Sequence, residues 1–202
     1  MPQIPIEELK KDLIVRDRLK GHELTFHTTW GLFSPEKIDT GTRALLEAAV
    51  VGPRDTILDL GCGYGAIGIA LAKLAPEGKT VMVDKDFVAV EYARKNAVLN
   101  GVAKNTETYL SNGFNQIPTG QRFKVIISNL PAKISKEFFW ILFKETYDRL
   151  EPGGTFYVVT IAGLQRFIEK NFQIIFGNYN LIASQGTYFI AAATKPAATT
   201  GN

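Results

Sequence analysis

Cysteine is almost missing, with Cys62 standing alone in 202 residues. One thiol can build neither an intramolecular disulfide nor a cysteine-based zinc cluster, which fits a reducing compartment. Histidine is nearly as scarce, and His22 and His27 have no matching ligand set, so no metal site is expected. No uninterrupted apolar run reaches the ~18 residues a membrane-spanning helix needs. The first residues, Met1-Pro2-Gln3-Ile4-Pro5-Ile6-Glu7-Glu8, carry acids where a secretory signal carries basic and then apolar residues. A soluble cytoplasmic protein without membrane partners is the expectation. Charge of one sign is also in short supply. The 23 basic and 20 acidic residues leave a formal net charge of +3, which permits an anionic partner such as RNA without arguing for one.

With 46% hydrophobic and 21% charged residues the composition is that of an ordinary globular chain, long enough for one core and too short for two full domains. Three stretches are expected: a helical leader over residues 1–22, a single domain over 23–194 and a disordered Ala/Thr-rich tail over 195–202. In the leader, Leu9, Leu13 and Leu19 recur at roughly helical spacing among charges that nearly cancel. Residues 24–28 and 30–33 read as two short extended pieces around a turn, and Pro35 separates them from a helix over 37–50.

After Gly52-Pro53 the pattern becomes rhythmic. Strand candidates at 56–60, 80–84, 106–110, 123–128 and 155–161 alternate with helical segments at 66–74, 87–100 and 135–150. Such alternation builds a parallel sheet through right-handed crossovers, with helices on both faces. The end differs: a helix over 164–171 is followed by strands at 173–181 and 185–193, joined too closely to be parallel. The expected fold class is therefore α/β, a Rossmann-like doubly wound sheet that is mostly parallel and closes with an antiparallel hairpin.

The most informative segment is Ile57-Leu58-Asp59-Leu60-Gly61-Cys62-Gly63-Tyr64-Gly65, a strand that ends in an acid and runs through alternating glycines into a helix. Glycines admit positive φ and close approach of a ligand to the backbone, and the helix N-terminus favours an anion. The carboxylate of S-adenosylmethionine suits those N–H groups, and its ammonium suits backbone carbonyls and a nearby acid such as Asp59. Gly63-Tyr64-Gly65-Ala66-Ile67-Gly68 also matches the G-x-G-x-x-G pattern of dinucleotide sites. Its register is wrong, because counting from Gly61, which directly follows the strand, puts the third glycine on Ala66. Gly61, Gly63 and Gly65 are thus cofactor candidates, with Cys62 between them.

Asp84 ends the second strand, where it is either a ribose ligand or a helix cap, with Asp86 able to take the capping role instead; Lys85 lies beside it. Asn112 and Gly113 follow the third strand, where the amide either reads an adenine edge or simply forms a turn.

These residues bring out a family likeness. The chain resembles the small-domain methyltransferases related to the enzymes that methylate the exocyclic amine of guanine in small-subunit ribosomal RNA, in particular compact archaeal single-domain members. The likeness runs over roughly residues 23–194. It rests on Gly31-Leu32-Phe33-Ser34 with Ile38-Asp39-Thr40-Gly41-Thr42, similar to the family's cofactor-covering segment, on residues 59–65, and on residues 96–101. It implies S-adenosylmethionine as cofactor, Phe33 and Thr42 near it, seven strands in the order 3-2-1-4-5-7-6, and a substrate pocket at the carboxyl ends of strands four and five. Where the family carries Asn-Pro-Pro and an often aromatic or apolar residue, this chain has Asn129-Leu130-Pro131-Ala132. Asn129 and Pro131 match and are the catalytic candidates implied; Leu130 and Ala132 depart, and Ala132 offers no ring to stack on a base.

The expected reaction is methyl transfer to nitrogen, with an exocyclic amine of an RNA base as first choice. A small molecule or a protein side chain as acceptor, or a non-catalytic module that only binds the cofactor, are the alternatives. Lys133 and Lys136 read either as phosphate contacts or as solvated lysines ahead of a helix. Trp30 and Phe33 read either as pocket residues or as core aromatics.

Overall fold

The computed structural model describes residues 11–132 and 135–198. It begins with a hairpin, β1 (Leu13–Leu19) and β2 (His22–Thr28), where a helical leader was expected. Burial over β1 alternates, with Val15 and Leu19 inside and Ile14, Arg16 and Arg18 outside, which is a period of two. Lys20 (φ 51°) and Gly21 (φ 84°) form the two-residue turn that joins the strands, a connection that needs positive φ at both positions. The hairpin straddles the boundary expected at residue 22; residues 1–10, the rest of the leader, lie outside the described residues. Residues 30–33 form turns and bends instead of an extended piece, since Leu32 N–H folds back onto the Thr29 carbonyl (3.3 Å).

The helix expected over 37–50 is α1 (Thr40–Ala48), started by Asp39, whose carboxylate caps the Thr42 N–H. From there strands and helices alternate as expected: β3 (Thr56–Leu60), α2 (Ala66–Leu74), β4 (Lys79–Asp84), α3 (Phe87–Leu99), β5 (Thr106–Leu110), β6 (Phe123–Asn129), α4 (Lys136–Arg149) and β7 (Leu150–Ile161). Asp86 caps α3 and Ser135 caps α4, each accepting from the N–H two or three residues on. Successive side chains on β3 point to opposite faces: Ile57 joins the core under α1, α2 and α3, and Leu58 and Leu60 join the core under α4 and the helix that follows β7. The second core holds Phe139, Phe143, Phe156, Phe172 and Phe176, with Phe143 edge-on to Phe172 at 5.1 Å between ring centres. Each fully buried phenylalanine stabilises the fold by about 1.5–3 kcal/mol relative to exposure.

The C-terminal part departs from expectation in its boundaries. Helix α5 (Gln165–Phe176) runs on through residues assigned to a strand, because Ile168, Phe172 and Phe176 recur every four residues and are all buried. Gly177, in the left-handed conformation (φ 74°), ends it. Strands β8 (Asn180–Gln185) and β9 (Tyr188–Thr194) then form the antiparallel hairpin. The tail was expected to be disordered from residue 195, yet Lys195 exchanges backbone hydrogen bonds with Gly153 and Gly154; residues 199–202 lie outside the described residues.

The main sheet has seven strands in the order β5-β4-β3-β6-β7-β9-β8. Counted from β3 this is 3-2-1-4-5-7-6, the order implied by the resemblance. The pairs from β5 through β7 are parallel, and β9 runs antiparallel to both β7 and β8. Connections leave β3 toward one edge and return at β6 toward the other, which opens a crevice at the carboxyl ends of the strands, where open α/β sheets bind ligands. Among the described residues no helix is long and apolar enough to cross a membrane.

Candidate active site

The crevice holds a cavity of about 960 Å³. Its wall is made by strand ends and the turns after them: Leu60 with Gly61, Cys62 and Gly63, then Asp84 and Lys85, then Ser111 to Gly113, then Asn129 to Ala132, and finally Thr160 and Ile161. Phe33, Ser34, Asp39 and Thr42 line it from the segment before and at the start of α1, and Phe138 and Leu142 from α4.

The turn after β3 is fixed by the next strand. Gly61 and Cys62 both donate their N–H to the Val83 carbonyl (2.9 Å each), and Gly63 donates to Asp84 Oδ2 (2.9 Å). Gly61 (φ 78°) and Gly63 (φ 53°) hold left-handed backbone, and a Cβ built on either would meet nothing within 4 Å. The backbone here is therefore open to a ligand. The Gly65 N–H goes to the Cys62 carbonyl and the Gly68 N–H to Asp59, so the N–H groups of Ala66 and Ile67, at the start of α2, have no partner among the described residues. Two free donors at a helix N-terminus fit a carboxylate.

Two of the expected cofactor ligands sit behind the wall. Asp59 is fully buried beneath the turn, with Oδ2 accepting from Gly68 N–H (2.8 Å) and Oδ1 lacking any partner among the described residues. Burial pushes its carboxyl up to about 7, against the Gly68 hydrogen bond and with help from the Asp84 charge. Gly65 is the other: a Cβ there would come within 2.9 Å of Ile69 Cδ1 and 3.3 Å of Ala93, so the glycine serves the packing of α2 on α3. Burial, with Asp59 and Asp84 nearby, drives the Cys62 thiol well up, which keeps it protonated and inert. The remaining candidates, Phe33, Thr42, Gly61, Cys62, Gly63, Asp84, Lys85, Asn112, Gly113, Asn129 and Pro131, all meet at the cavity.

Asp84 does not cap α3; besides holding Gly63 it accepts the Asp86 N–H at Oδ1 (3.0 Å). Each carboxylate oxygen keeps a second lone pair for a hydroxyl. An open glycine turn, two unpaired helix N–H groups and an acid on the second strand together fit an amino-acid zwitterion joined to a ribose. S-adenosylmethionine has both parts.

Asn129 ends β6, and its Nδ2 donates to Asp39 Oδ2 (3.2 Å) and Thr42 Oγ1 (3.0 Å). Leu130, where the related motif has proline, donates its N–H to the Val159 carbonyl (2.9 Å), a bond proline cannot make, and its own carbonyl accepts from Thr160 Oγ1 (3.1 Å). The departure therefore extends the β6–β7 ladder and leaves the chain on course. The aromatic missing at Ala132 has a counterpart in Phe138, which lines the same cavity and is 37% exposed.

Phe138 and Tyr188 line the cavity without having been singled out in the sequence, and Asp39 was noted there only as part of the cofactor-covering segment. For Phe138 the signal was its place three residues after the Ser135 cap, on the first turn facing the strand ends; for Tyr188 no sequence signal existed. Trp30 lies outside the cavity wall, Lys136 places its Nζ 6.0 Å above the Phe167 ring, and Lys133 lies outside the described residues.

The profile of the methyltransferase small domain family matches residues 23–192. The chain belongs to that family. It is 32% identical to the uncharacterized protein YbxB of Bacillus subtilis over 184 residues, covering 88% of this chain and 89% of that one. It is 27% identical to the ribosomal RNA large subunit methyltransferase G of Shewanella amazonensis over 86% of this chain and 46% of the relative. Among solved structures, the T. thermophilus 16S rRNA N2 G1207 methyltransferase RsmC, in complex with AdoMet and guanosine, superposes with a TM-score of 0.82 at 27% identity, over 96% of this chain and 52% of that one. The chain thus spans about half the length of the named ribosomal RNA methyltransferases it matches. Membership of the methyltransferase small domain family makes this protein an S-adenosylmethionine-dependent methyltransferase.

Proposed function

We propose that this methyltransferase acts on ribosomal RNA and modifies an exocyclic amine of a nucleobase, guanine before others. The observation that carries the reading is the orientation of Asn129. Its amide nitrogen is occupied by Asp39 and Thr42, while its oxygen has no partner among the described residues and the residue lines the cavity. An exocyclic amine presents N–H donors, and an amide oxygen is the acceptor that aims such a group. The likeness to RsmC, whose structure holds AdoMet and guanosine, supports the same acceptor class.

When bound, S-adenosylmethionine supplies an electrophilic methyl group on sulfur: the amine lone pair forms the new N–C bond as the S–C bond breaks, and the nitrogen then gives a proton to water. The cofactor's amino-acid end would be held by the N–H groups of Ala66 and Ile67 and by the turn Gly61 to Gly63, its ribose by Asp84, and its base beside Asn112. Asn129 Oδ1 accepts from the amine and stabilises the positive charge that develops on it. Phe138 offers a face for the base. The Leu130 carbonyl accepts from Thr160 with one lone pair and keeps the other, so the unpartnered oxygen of the Asn129 side chain is the freer acceptor of the two.

No strong base is required. Holding two reactants in attack geometry is worth roughly 7–11 kcal/mol, against about 3–5 kcal/mol for general base catalysis. Positioning dominates, which is what a rigid crevice without a poised histidine can supply.

The test is incubation with methyl-labelled S-adenosylmethionine and separated RNA, protein and small-molecule fractions of a cell extract. Label entering the RNA is the expected result. Label entering protein or small molecules instead would move the function to one of those acceptors.

A further inference from the structure

An asparagine amide can face a cavity with either end, and only the oxygen end can accept from an amine. What decides the matter for Asn129 comes from 90 residues away in the chain. Both hydrogens of its NH₂ group are spent, one on Asp39 Oδ2 at 3.2 Å and one on Thr42 Oγ1 at 3.0 Å. A carboxylate has no proton to offer, so the opposite orientation would set the amide oxygen against the carboxylate oxygen and lose that bond, whereas the Thr42 hydroxyl can accept or donate and fits either orientation; Asp39 alone discriminates. Resting on the reading above, we propose that Asp39 is a positioning residue for methyl transfer: its carboxylate locks the Asn129 amide with Oδ1 toward the acceptor amine and polarises it, making that oxygen a stronger partner for the developing positive charge.

Asp39 is itself held by two further contacts. Its Oδ2 accepts the Thr42 N–H (3.0 Å) as the cap of α1, and its Oδ1 accepts the hydroxyl of Tyr188 from β9 at 3.4 Å. The Asp39 charge in turn raises the Tyr188 phenol. Gly41 explains how the first turn of α1 comes so close. A Cβ at that position would stand 3.0 Å from Asp39 Oδ2 and 3.2 Å from Val159 Cγ2, so a larger residue would push the helix start off β7 and carry Asp39 away from Asn129. The segment Asp39-Thr40-Gly41-Thr42 is therefore one unit, with a cap that doubles as an anchor, a glycine for approach and a second anchor.

The experiment compares wild type, Asp39→Asn, Asn129→Ala and the double variant, assayed for transfer to protein-free ribosomal RNA. Asparagine caps helices about as well as aspartate, so α1 should persist in Asp39→Asn. Asp39→Ser, which still caps but is too short to reach Asn129, covers the case in which that variant does not fold. The expected result is a fall in kcat of about tenfold or more with KM for S-adenosylmethionine within about threefold of wild type. In the Asn129→Ala background the change at residue 39 should cost nothing further, because it acts through the amide already removed.

A second readout needs no acceptor. The side-chain NH₂ signals of Asn129, identified by their loss in Asn129→Ala, should exchange slowly with solvent in wild type and shift and exchange faster in Asp39→Asn. Unmoved Asn129 signals, or a loss of kcat fully additive with Asn129→Ala, overturn the role of Asp39. If wild type transfers nothing to RNA, the acceptor assignment falls, and the amide signals alone decide whether Asp39 orients Asn129.

Discussion

At the scale of single residues, Asn129 and Asp59 divide the work of the site between the reaction and the frame that holds it. In the proposed reaction Asn129 meets the acceptor and only flanks the cofactor. Asn129→Ala should therefore lower transfer by about 10²-fold or more while affinity for S-adenosylhomocysteine, measured by calorimetry, stays within about threefold of wild type. A matching loss of affinity would make Asn129 a cofactor ligand first. Asp59 faces the other way, a fully buried carboxyl beneath the glycine turn whose pKa stands at about 7 because burial disfavours its charge. Since an unfolded chain titrates an aspartate near 3.9, the folded state binds the extra proton between about pH 4 and pH 7. The stability it contributes is fully present below that window and declines as pH rises through it, by about 4 kcal/mol at most. Asp59→Asn keeps an acceptor for Gly68 and removes the charge. Thermal unfolding without cofactor should find it close to wild type below about pH 4 and increasingly more stable than wild type as pH rises to 8. A difference between the two proteins that does not change with pH would contradict the raised titration.

At the scale of elements, the N-terminal hairpin is fastened to the domain by two side chains one helical turn apart. On α3, Asn96 accepts from His27 N–H (2.8 Å) and donates to the carbonyls of His27 (2.8 Å) and Tyr64 (2.9 Å). Asn100 makes the same pair of bonds with Thr25, at 3.1 and 2.8 Å. Four helical residues rise about 6 Å and two strand residues about 6.8 Å, so the amides match alternate residues of β2 and act as one more strand along its edge. Asn96→Ala strands buried backbone groups and should cost about 1–3 kcal/mol, seen as a lower denaturant midpoint with unchanged slope and faster hydrogen exchange at His27. Unchanged exchange there would show that the hairpin is held by its apolar face alone. Residues 96–101 were conspicuous in the sequence only through resemblance; the bonds to β2 give the physical reason for two asparagines four apart. The alternation from β3 through β7 was legible because strand and helix patterns there are long and punctuated by Gly, Pro and capping acids. The hairpin was not, because a few leucines at uneven spacing passed for helical periodicity and the Lys20-Gly21 turn was overlooked. The end of α5 was misread for a related reason: Ile174 and Ile175 favour a strand locally, and only the burial of Phe172 and Phe176 in the second core settles the helix.

At the scale of the whole molecule, the site exists because the sheet changes direction between β3 and β6 and brings five strand ends to one crevice. Those ends carry the local motifs, so most of the cavity wall could be read from the chain as a string. The parts that could not be read are the ones that come from distant segments. Asp39 reaches Asn129 across 90 residues of chain and Tyr188 reaches Asp39 across 149, a juxtaposition that only the packing of α1 and β9 on β7 creates. Asp59 and Gly65 were read as ligands because a glycine-rich turn announces itself in sequence, whereas which of its residues face inward depends on how closely α2 lies on the sheet. The central claim is that this crevice presents a nucleobase amine of ribosomal RNA to the methyl group. It is tested most directly by incubating the protein with ribosomal RNA and methyl-labelled S-adenosylmethionine, digesting the RNA to nucleosides and identifying the labelled one by mass. The account predicts label on the exocyclic nitrogen of guanosine, abolished in Asn129→Ala. Label on a ribose hydroxyl or a ring carbon, or RNA left unlabelled while the protein binds the cofactor, would contradict it.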